Sequence, residues 1–270
     1  MGSNSEIITS RTNARVKQLR AAFAGQARLS SGLIGIEGEH LVEEALRSGQ
    51  ALKTVFLSER RELPDFIPQS VEVVVLSNDV FRSCVETQSP QGIAALMVPP
   101  VWTVEQMLED VPLVLIAVGL QDPGNLGTLI RSAEAFGATG VMTTQGTVSA
   151  WNQKALRASA GSIFRMPVVP ATPEAMETLE QQGVRLFAAV NEDALPIEEV
   201  DLTEACALLI GNEGAGLDQG WLEMAEQRVM IPCPGSVESL NAATAGSLLL
   251  YESSRQRRHA ARVTARAMPR

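Results

Sequence analysis

The segment Pro112-Leu-Val-Leu-Ile-Ala-Val118 runs through apolar residues without a polar break. A strand with one wet face alternates apolar and polar residues, whereas an unbroken run belongs to a strand covered on both faces, as in a parallel sheet flanked by helices. The run enters a loop, Gly119 to Gly127, then a helical pattern from about Leu126 to Phe136 stopped by Gly137, then a second apolar strand around Val141 and Met142. Strand, helix and strand make a βαβ unit, whose crossover is right-handed almost without exception. The rhythm repeats as helix Asn152 to Ala160, strand Phe164 to Val168, helix Pro173 to Gln182 and strand Val184 to Val190. This half of the chain is expected to be an α/β domain around a mostly parallel sheet.

Two further strands end in glycine-bearing turns. Gly211-Asn212-Glu213-Gly214 follows Ala207 to Ile210, and Pro234-Gly235-Ser236 follows Val229 to Pro232. Ligands of open α/β sheets bind outside the carboxyl ends of the strands, so both turns, with Glu213 and Asn241 beside them, are expected at a small-molecule site. The final helix is expected to bury Leu240, Ala243, Ser247, Leu248 and Tyr251, with Ala242, Ala245 and Gly246 allowing close packing.

Upstream, α/β alternation describes a smaller unit. Val16, Leu19 and Phe23 recur at helical spacing, Leu33 to Ile36 reads as a strand, and Leu41, Val42, Ala45 and Leu46 form one face of a helix closed by Gly49. Strands over Lys53 to Leu57, Val71 to Leu76 and Gly92 to Val98 follow, with Asn78 expected to cap a helix through Phe81 to Val85. The prolines 99 and 100 break both helix and sheet. The domain division is therefore expected as residues 1–99, a linker at 100–103, and residues 104–270, the last opening on a short helix from Val104 to Leu108.

Composition narrows the chemistry. A chain of 270 residues, 45% hydrophobic and 20% charged, is long enough for two cores. No apolar run approaches the ~20 residues that cross a bilayer, and the amino terminus lacks an apolar secretory segment, so a cytoplasmic location away from membranes is expected. Cys84, Cys206 and Cys233 lie far apart with no metal-ligand spacing and read as reduced, mostly buried residues; with only His40 and His259 beside them, a metal site or a histidine triad is not expected. The net charge of -9 disfavours nucleic acid when taken alone. Both ends are nevertheless basic, with Arg11, Arg15, Lys17, Arg20 and Arg28 at one and Arg255, Arg257, Arg258, Arg262, Arg266 and Arg270 at the other, which suits contact with phosphate or merely a solvated face.

The loop Gln121-Asp-Pro-Gly-Asn-Leu-Gly127 lacks the spacing of a dinucleotide-binding turn and of a phosphate-binding P-loop, which disfavours a nucleotide-dependent oxidoreductase. NLGTLIR followed by AFG, then LLIGNEGAGL, then IPCPGSVESLNAATAGSLLLYE, resembles the three ordered motifs of the SpoU, or TrmH-like, branch of the SPOUT RNA methyltransferases. GIEGEHLVEEALRSG, VFLSE and TQSPQGIAAL resemble the substrate-binding domain often joined to it, a small α/β domain like that of ribosomal protein L30e. The resemblance implies a deep trefoil knot in the carboxyl-terminal domain, a homodimer, S-adenosylmethionine as cofactor, and methyl transfer to an RNA ribose 2'-hydroxyl, an in-line displacement that needs no metal. It implies ribosomal RNA (23S) as substrate, with transfer RNA as the alternative, and leaves a non-catalytic RNA-binding or ribosome-assembly factor open.

By the same resemblance Asn125, Arg131, Glu213, Ser239 and Asn241 line the reacting centre, while Gly211, Ile231, Leu240 and Asn241 hold the adenosyl group and Leu209 helps to sandwich its ring. Arg131 falls off the apolar face of its helix, and a guanidinium with a pKa above ~12 is a poor proton acceptor, so it is expected to hold phosphate or polarise the hydroxyl.

Overall fold

A computed structural model of the chain describes residues 7–25, 32–237 and 239–267. Arg28 and Arg270, and the side chain of Arg266, lie outside what is described. The chain forms two compact units, one holding residues up to Val101 together with Trp151–Arg165, the other Trp102–Ala150 with the chain from Met166 onward.

In the first unit, helix α1 (Ala14–Phe23) is capped by Asn13, whose side chain accepts from Arg15 N, and buries Val16, Leu19, Ala22 and Phe23. Strands β1 (Ile34–Glu37), β2 (Leu52–Ser58), β3 (Glu72–Leu76) and β4 (Ile93–Met97) form a sheet in the order β1-β4-β2-β3, antiparallel on both sides of β4 and parallel between β2 and β3. Helix α2 (Glu39–Arg47) stops before Gly49, whose φ of +74° is the left-handed conformation that glycine adopts without strain. Helix α3 (Asn78–Arg82) is shorter than the spacing predicts, and its N-cap is Ser77 rather than Asn78. The Asn78 side chain is instead engaged by the Ser58 hydroxyl, a tertiary partner no local rule foresees.

The segment Trp151–Arg165, expected in the carboxyl-terminal domain, is drawn into this first unit by hydrogen bonds. Gln153 Nε2 donates to Gly35 O at 2.7 Å, Gln50 Nε2 to Phe164 O at 3.1 Å, and Arg165 pairs with Glu44 at 2.7 Å. It holds helix α4 (Gln153–Ser159) and a 3-10 turn, Ser162–Phe164, where a strand was expected.

In the second unit, β5 (Leu113–Ala117), β6 (Gly140–Thr143), β7 (Val168–Pro170), β8 (Arg185–Ala189), β9 (Leu195–Pro196), β10 (Cys206–Ile210) and β11 (Gln227–Met230) form one sheet in the order β7-β6-β5-β10-β8-β11-β9, parallel at every pairing. Every residue of β5 and of β10 is buried, as the unbroken apolar runs require. Each large aliphatic side chain so buried contributes about 1.5–3 kcal/mol. Between Val101 and β5 the expected helix is a single 3-10 turn, Glu105–Met107.

Helices α5 (Pro123–Ala135), α6 (Pro173–Gln181), α7 (Gln219–Met224) and α8 (Ala242–Ala267) complete the unit. The buried face of α8 is not the expected stripe: Leu249, Leu250 and Ser253 are buried, whereas Leu248 and Tyr251 are 43% and 45% exposed. The buried residues Ala242, Ala243, Gly246, Leu249, Leu250 and Ser253 form one helical stripe, on which Gly246 faces α5 so closely that a Cβ there would lie 2.3 Å from Leu129 Cδ2. Ser247 and Ser132 hydroxyls join the two helices at 2.7 Å.

The basic carboxyl end is partly spent on the fold. Arg257 donates to the carbonyls of Leu202, Val111, Pro112 and Glu204, and Arg255 pairs with Glu252 at 2.7 Å. Cys84 and Cys206 are buried, but Cys233 is exposed.

Candidate active site

The register of the parallel sheet sets the site. Ile210 lies opposite Ala117, and Ala117 opposite Thr143, so the carboxyl ends of β10, β5 and β6 reach one edge together. The loops after β5 and β10 leave from that edge, where backbone groups are free of the ladder.

After β5, Asp122 caps α5, its side chain accepting from Asn125 N at 2.9 Å, and Pro123 occupies the first turn where its missing N–H costs nothing. This holds Asn125 at the start of the helix. After β10, residues 211–217 fold into a tight turn: Asn212 and Gly216 exchange both main-chain hydrogen bonds, and Asn212 Oδ1 accepts from the N–H groups of Gly214 and Ala215. A Cβ on Gly211 would lie 2.4 Å from the carbonyl carbon of Gly216, so only glycine closes this turn. After β11, the chain reaches Asn241, whose Oδ1 accepts from Ala243 N at 2.9 Å and Thr244 N at 3.2 Å and so caps α8.

The three loops meet through one relay. Asn241 Nδ2 donates to Asn125 Oδ1 at 3.0 Å, and Asn125 Nδ2 donates to Glu213 Oε1 at 2.7 Å. Each amide is thereby fixed in orientation, and the Glu213 carboxylate keeps its second oxygen without a hydrogen-bond partner among the described residues. Two anchored amides beside a carboxylate can orient a hydroxyl and accept its hydrogen bond.

Beside the relay lies a cavity of about 440 Å³. Ile210, Ile231, Leu240 and Leu249 supply apolar walls, Glu213, Ser239 and Cys233 polar ones, and the glycines 211, 214 and 216 bare backbone. Its volume is in the range of small-molecule and cofactor sites. Glycines along one wall and aliphatic side chains along another suit a flat heteroaromatic ring held through main-chain groups, so the residues present fit an adenosyl cofactor.

The structure gathers Gly211, Glu213, Ile231, Ser239 and Leu240 around this cavity, with Asn125 and Asn241 joined to Glu213. Two expected residues stand apart. Leu209 is fully buried in the core with Val114, Ile116 and Ala188, and its neighbour Ile210 faces the cavity instead, because successive strand residues point to opposite faces of the sheet. Arg131 is exposed, six positions after Asn125 on α5, about 9 Å along the axis and on another face. No hydrogen bond or ion pair within the described residues engages it. Asn212, which the spacing did not single out, is what holds the turn closed; its Asn-x-Gly context after a strand was the available signal.

Residues 112–251 match the model of the SpoU rRNA Methylase family. The chain belongs to that family. Residues 13–95 of this SpoU family member match the MRM3-like substrate binding domain. The chain is 37% identical over 245 residues to the 23S rRNA (guanosine(2553)-2'-O)-methyltransferase RlmP of Bacillus subtilis, covering 90% of this chain and 97% of that protein. It is 30% identical over 269 residues to the 23S rRNA (uridine(2479)-2'-O)-methyltransferase of Streptomyces viridochromogenes, covering 93% and 92% of the two. Among solved structures it is similar to the SpoU methyltransferase AviRb from that organism in complex with AdoMet, with a TM-score of 0.82, 28% identity, and coverage of 91% of this chain and 98% of that one. The α/β architecture expected for a SpoU methylase, with a smaller α/β domain ahead of it, is the one observed. No helix among the described residues is long and apolar enough to cross a membrane.

Proposed function

We propose that the chain is a cytoplasmic S-adenosylmethionine-dependent ribosomal RNA 2'-O-ribose methyltransferase acting on 23S rRNA. The observation that carries this reading is the Glu213–Asn125–Asn241 relay on the rim of a cavity lined by glycine backbone and aliphatic side chains. The named activities of the relatives support the substrate. When bound, S-adenosylmethionine supplies an electrophilic methyl group on a sulfonium sulfur.

The protein's own contribution is positioning, which in oriented reactions accounts for a large part of the barrier. Gly211, Ile231 and Leu240 hold the adenosyl group through main-chain and apolar contacts, with Ile210 in the role expected of Leu209. Asn125 fixes the Glu213 carboxylate, whose free oxygen accepts a hydrogen bond from the ribose 2'-hydroxyl, and Ser239 and Asn241 complete the polar rim. Arg131, without an ion-pair partner among the described residues, holds RNA phosphate or polarises the hydroxyl from the neighbouring subunit of a homodimer. The exposed Leu248 and Tyr251 on α8, beside α5, supply an apolar surface suited to that dimer. The trefoil knot belongs to the same reading: the chain after β11 threads the loops that form the cofactor site.

The test is incubation with radiolabelled S-adenosylmethionine and ribosomal RNA followed by nucleoside analysis. Label is expected in a 2'-O-methylnucleoside. Label on a base, or cofactor binding by calorimetry with no transfer to any RNA, overturns the assignment. For the dimer, sedimentation of the wild type and of Leu248→Arg is the measure, the variant being expected to run as a monomer without activity.

A further inference from the structure

The tight turn at residues 211–217 lines a second cavity, of about 520 Å³, that methyl transfer leaves without a task. Asn212, Ala215 and Gly216 belong to both cavities, and Gln121, Gln145, Asp218 and Trp221 give the second its own character.

Its floor is fixed and its rim is free. Asn212 Nδ2 donates to Gly119 O at 2.8 Å, and Gly119 N donates to Thr144 Oγ1 at 3.0 Å, which ties together the ends of β10, β5 and β6. The side chains of Gln121 and Gln145 are exposed and engage no partner among the described residues. Asp218 spends one carboxylate oxygen on capping α7, accepting from Trp221 N at 3.1 Å, and its other oxygen has no partner among the described residues. Trp221 is half-buried, packed against the apolar core on one side while lining the cavity.

No lysine or arginine among the described residues lines this cavity, which disfavours phosphate as what it anchors. An aromatic wall with neutral amides, which both donate and accept, and a spare carboxylate oxygen matches a flat, uncharged, hydrogen-bonding ring. Unstacked bases of single-stranded RNA are recognised by this chemistry, stacking on an aromatic side chain while polar groups read the exposed edge. The position also suits RNA, since Gln121 adjoins Asp122, the cap of the helix that presents Asn125. We propose that the cavity holds the unstacked base of a nucleotide adjoining the methylated one, with Trp221 as stacking platform and Gln121 and Gln145 reading the base edge. This rests on the RNA ribose methyltransferase reading.

Two measurements on the full chain test it. Tryptophan fluorescence is titrated with a mixed-sequence single-stranded oligoribonucleotide, and quenching is expected for the wild type and lost in Trp221→Phe. In methyl transfer to 23S rRNA, Trp221→Leu and Gln145→Ala are expected to raise KM for RNA roughly tenfold, the scale of one base–aromatic stack, with kcat and cofactor affinity unchanged and KM restored by Trp221→Phe. Quenching that persists in Trp221→Phe, or an unchanged KM in Trp221→Leu, overturns the proposal. So does a parallel loss of cofactor affinity in Trp221→Leu, which would mean that the indole only props the turn. A wild type that methylates no RNA would instead sink the underlying reading, and the quenching titration would still decide the cavity.

Discussion

Asn241 donates its side-chain amide to Asn125 Oδ1 at 3.0 Å while its own Oδ1 caps α8, so one residue both starts a helix and orients Asn125 in the proposed site. These two duties separate under substitution. Asn241→Asp keeps the cap and loses the donor, so methyl transfer should fall at least a hundredfold with the melting temperature nearly unchanged. Asn241→Ala should lose transfer and also about 1 kcal/mol of stability, the usual worth of an N-cap, read as a shift of a few degrees in thermal denaturation. Full activity in either variant would remove Asn241 from the site.

Arg131 is exposed and has no intrachain partner among the described residues, so Arg131→Ala should leave stability within about 0.5 kcal/mol. Its transfer activity should nevertheless fall by two orders of magnitude or more. Denaturant unfolding alongside single-turnover transfer separates the two quantities, and retained transfer would make Arg131 an ordinary surface residue.

Gly211→Ala places a methyl group 2.4 Å from backbone rather than from a yielding side chain. The turn must open to admit it. Calorimetry should show cofactor affinity reduced by tenfold or more, with a stability loss of about 1–3 kcal/mol from overpacking. An unchanged affinity would exclude this turn from the cofactor site.

The thiols should divide by burial. Burial raises the pKa of Cys84 and Cys206, against the opposing pull of Arg20 on the first and Arg257 on the second, and both thiols are enclosed in the folded chain. Cys233 is exposed and lines the cavity proposed for the cofactor. Maleimide labelling followed by mass spectrometry should modify Cys233 within minutes and the other two only on unfolding, and saturating S-adenosylmethionine should slow the labelling of Cys233. Equal rates with and without cofactor would place the bound ligand elsewhere.

Arg257 satisfies four backbone carbonyls at the base of the sheet. Removing it takes one hydrogen bond from each, although Pro112 O keeps the N–H of Cys206 and Leu202 O the weak bond of the Cys206 thiol, so Arg257→Ala should destabilise by about 1–3 kcal/mol in denaturant unfolding. Weakened RNA binding with stability intact would instead return this residue to the basic surface.

Local sequence was a good guide wherever one physical rule dominated. The unbroken apolar runs of β5 and β10 could only be strands buried on both faces, and Val16, Leu19 and Phe23 could only face a core. The three motifs, in order, pointed to Asn125, Glu213 and Asn241 through their family resemblance, and the structure joins these three by hydrogen bonds. Local rules failed where a distant partner decided the outcome. Asn78 left its capping role for Ser58, Leu209 pointed into the core rather than the cavity, and the segment around Gln153 joined the first unit through Gly35. The buried face of α8 keeps a helical period through Ala242, Ala243, Gly246, Leu249, Leu250 and Ser253, but in a different phase from the expected stripe, and the packing of Gly246 against Leu129 accords with that phase.

By itself, then, the turn at Gly211 was legible as two glycines at a strand end, because strand length and turn chemistry are short-range properties. Tertiary structure alone decided that its Glu213 meets Asn125 from a loop 88 residues away, and that Asn125 in turn meets Asn241 at a separation of 116 residues. The reason is that parallel register, a property of paired strands and not of any one segment, brings the carboxyl ends of β5 and β10 to the same edge.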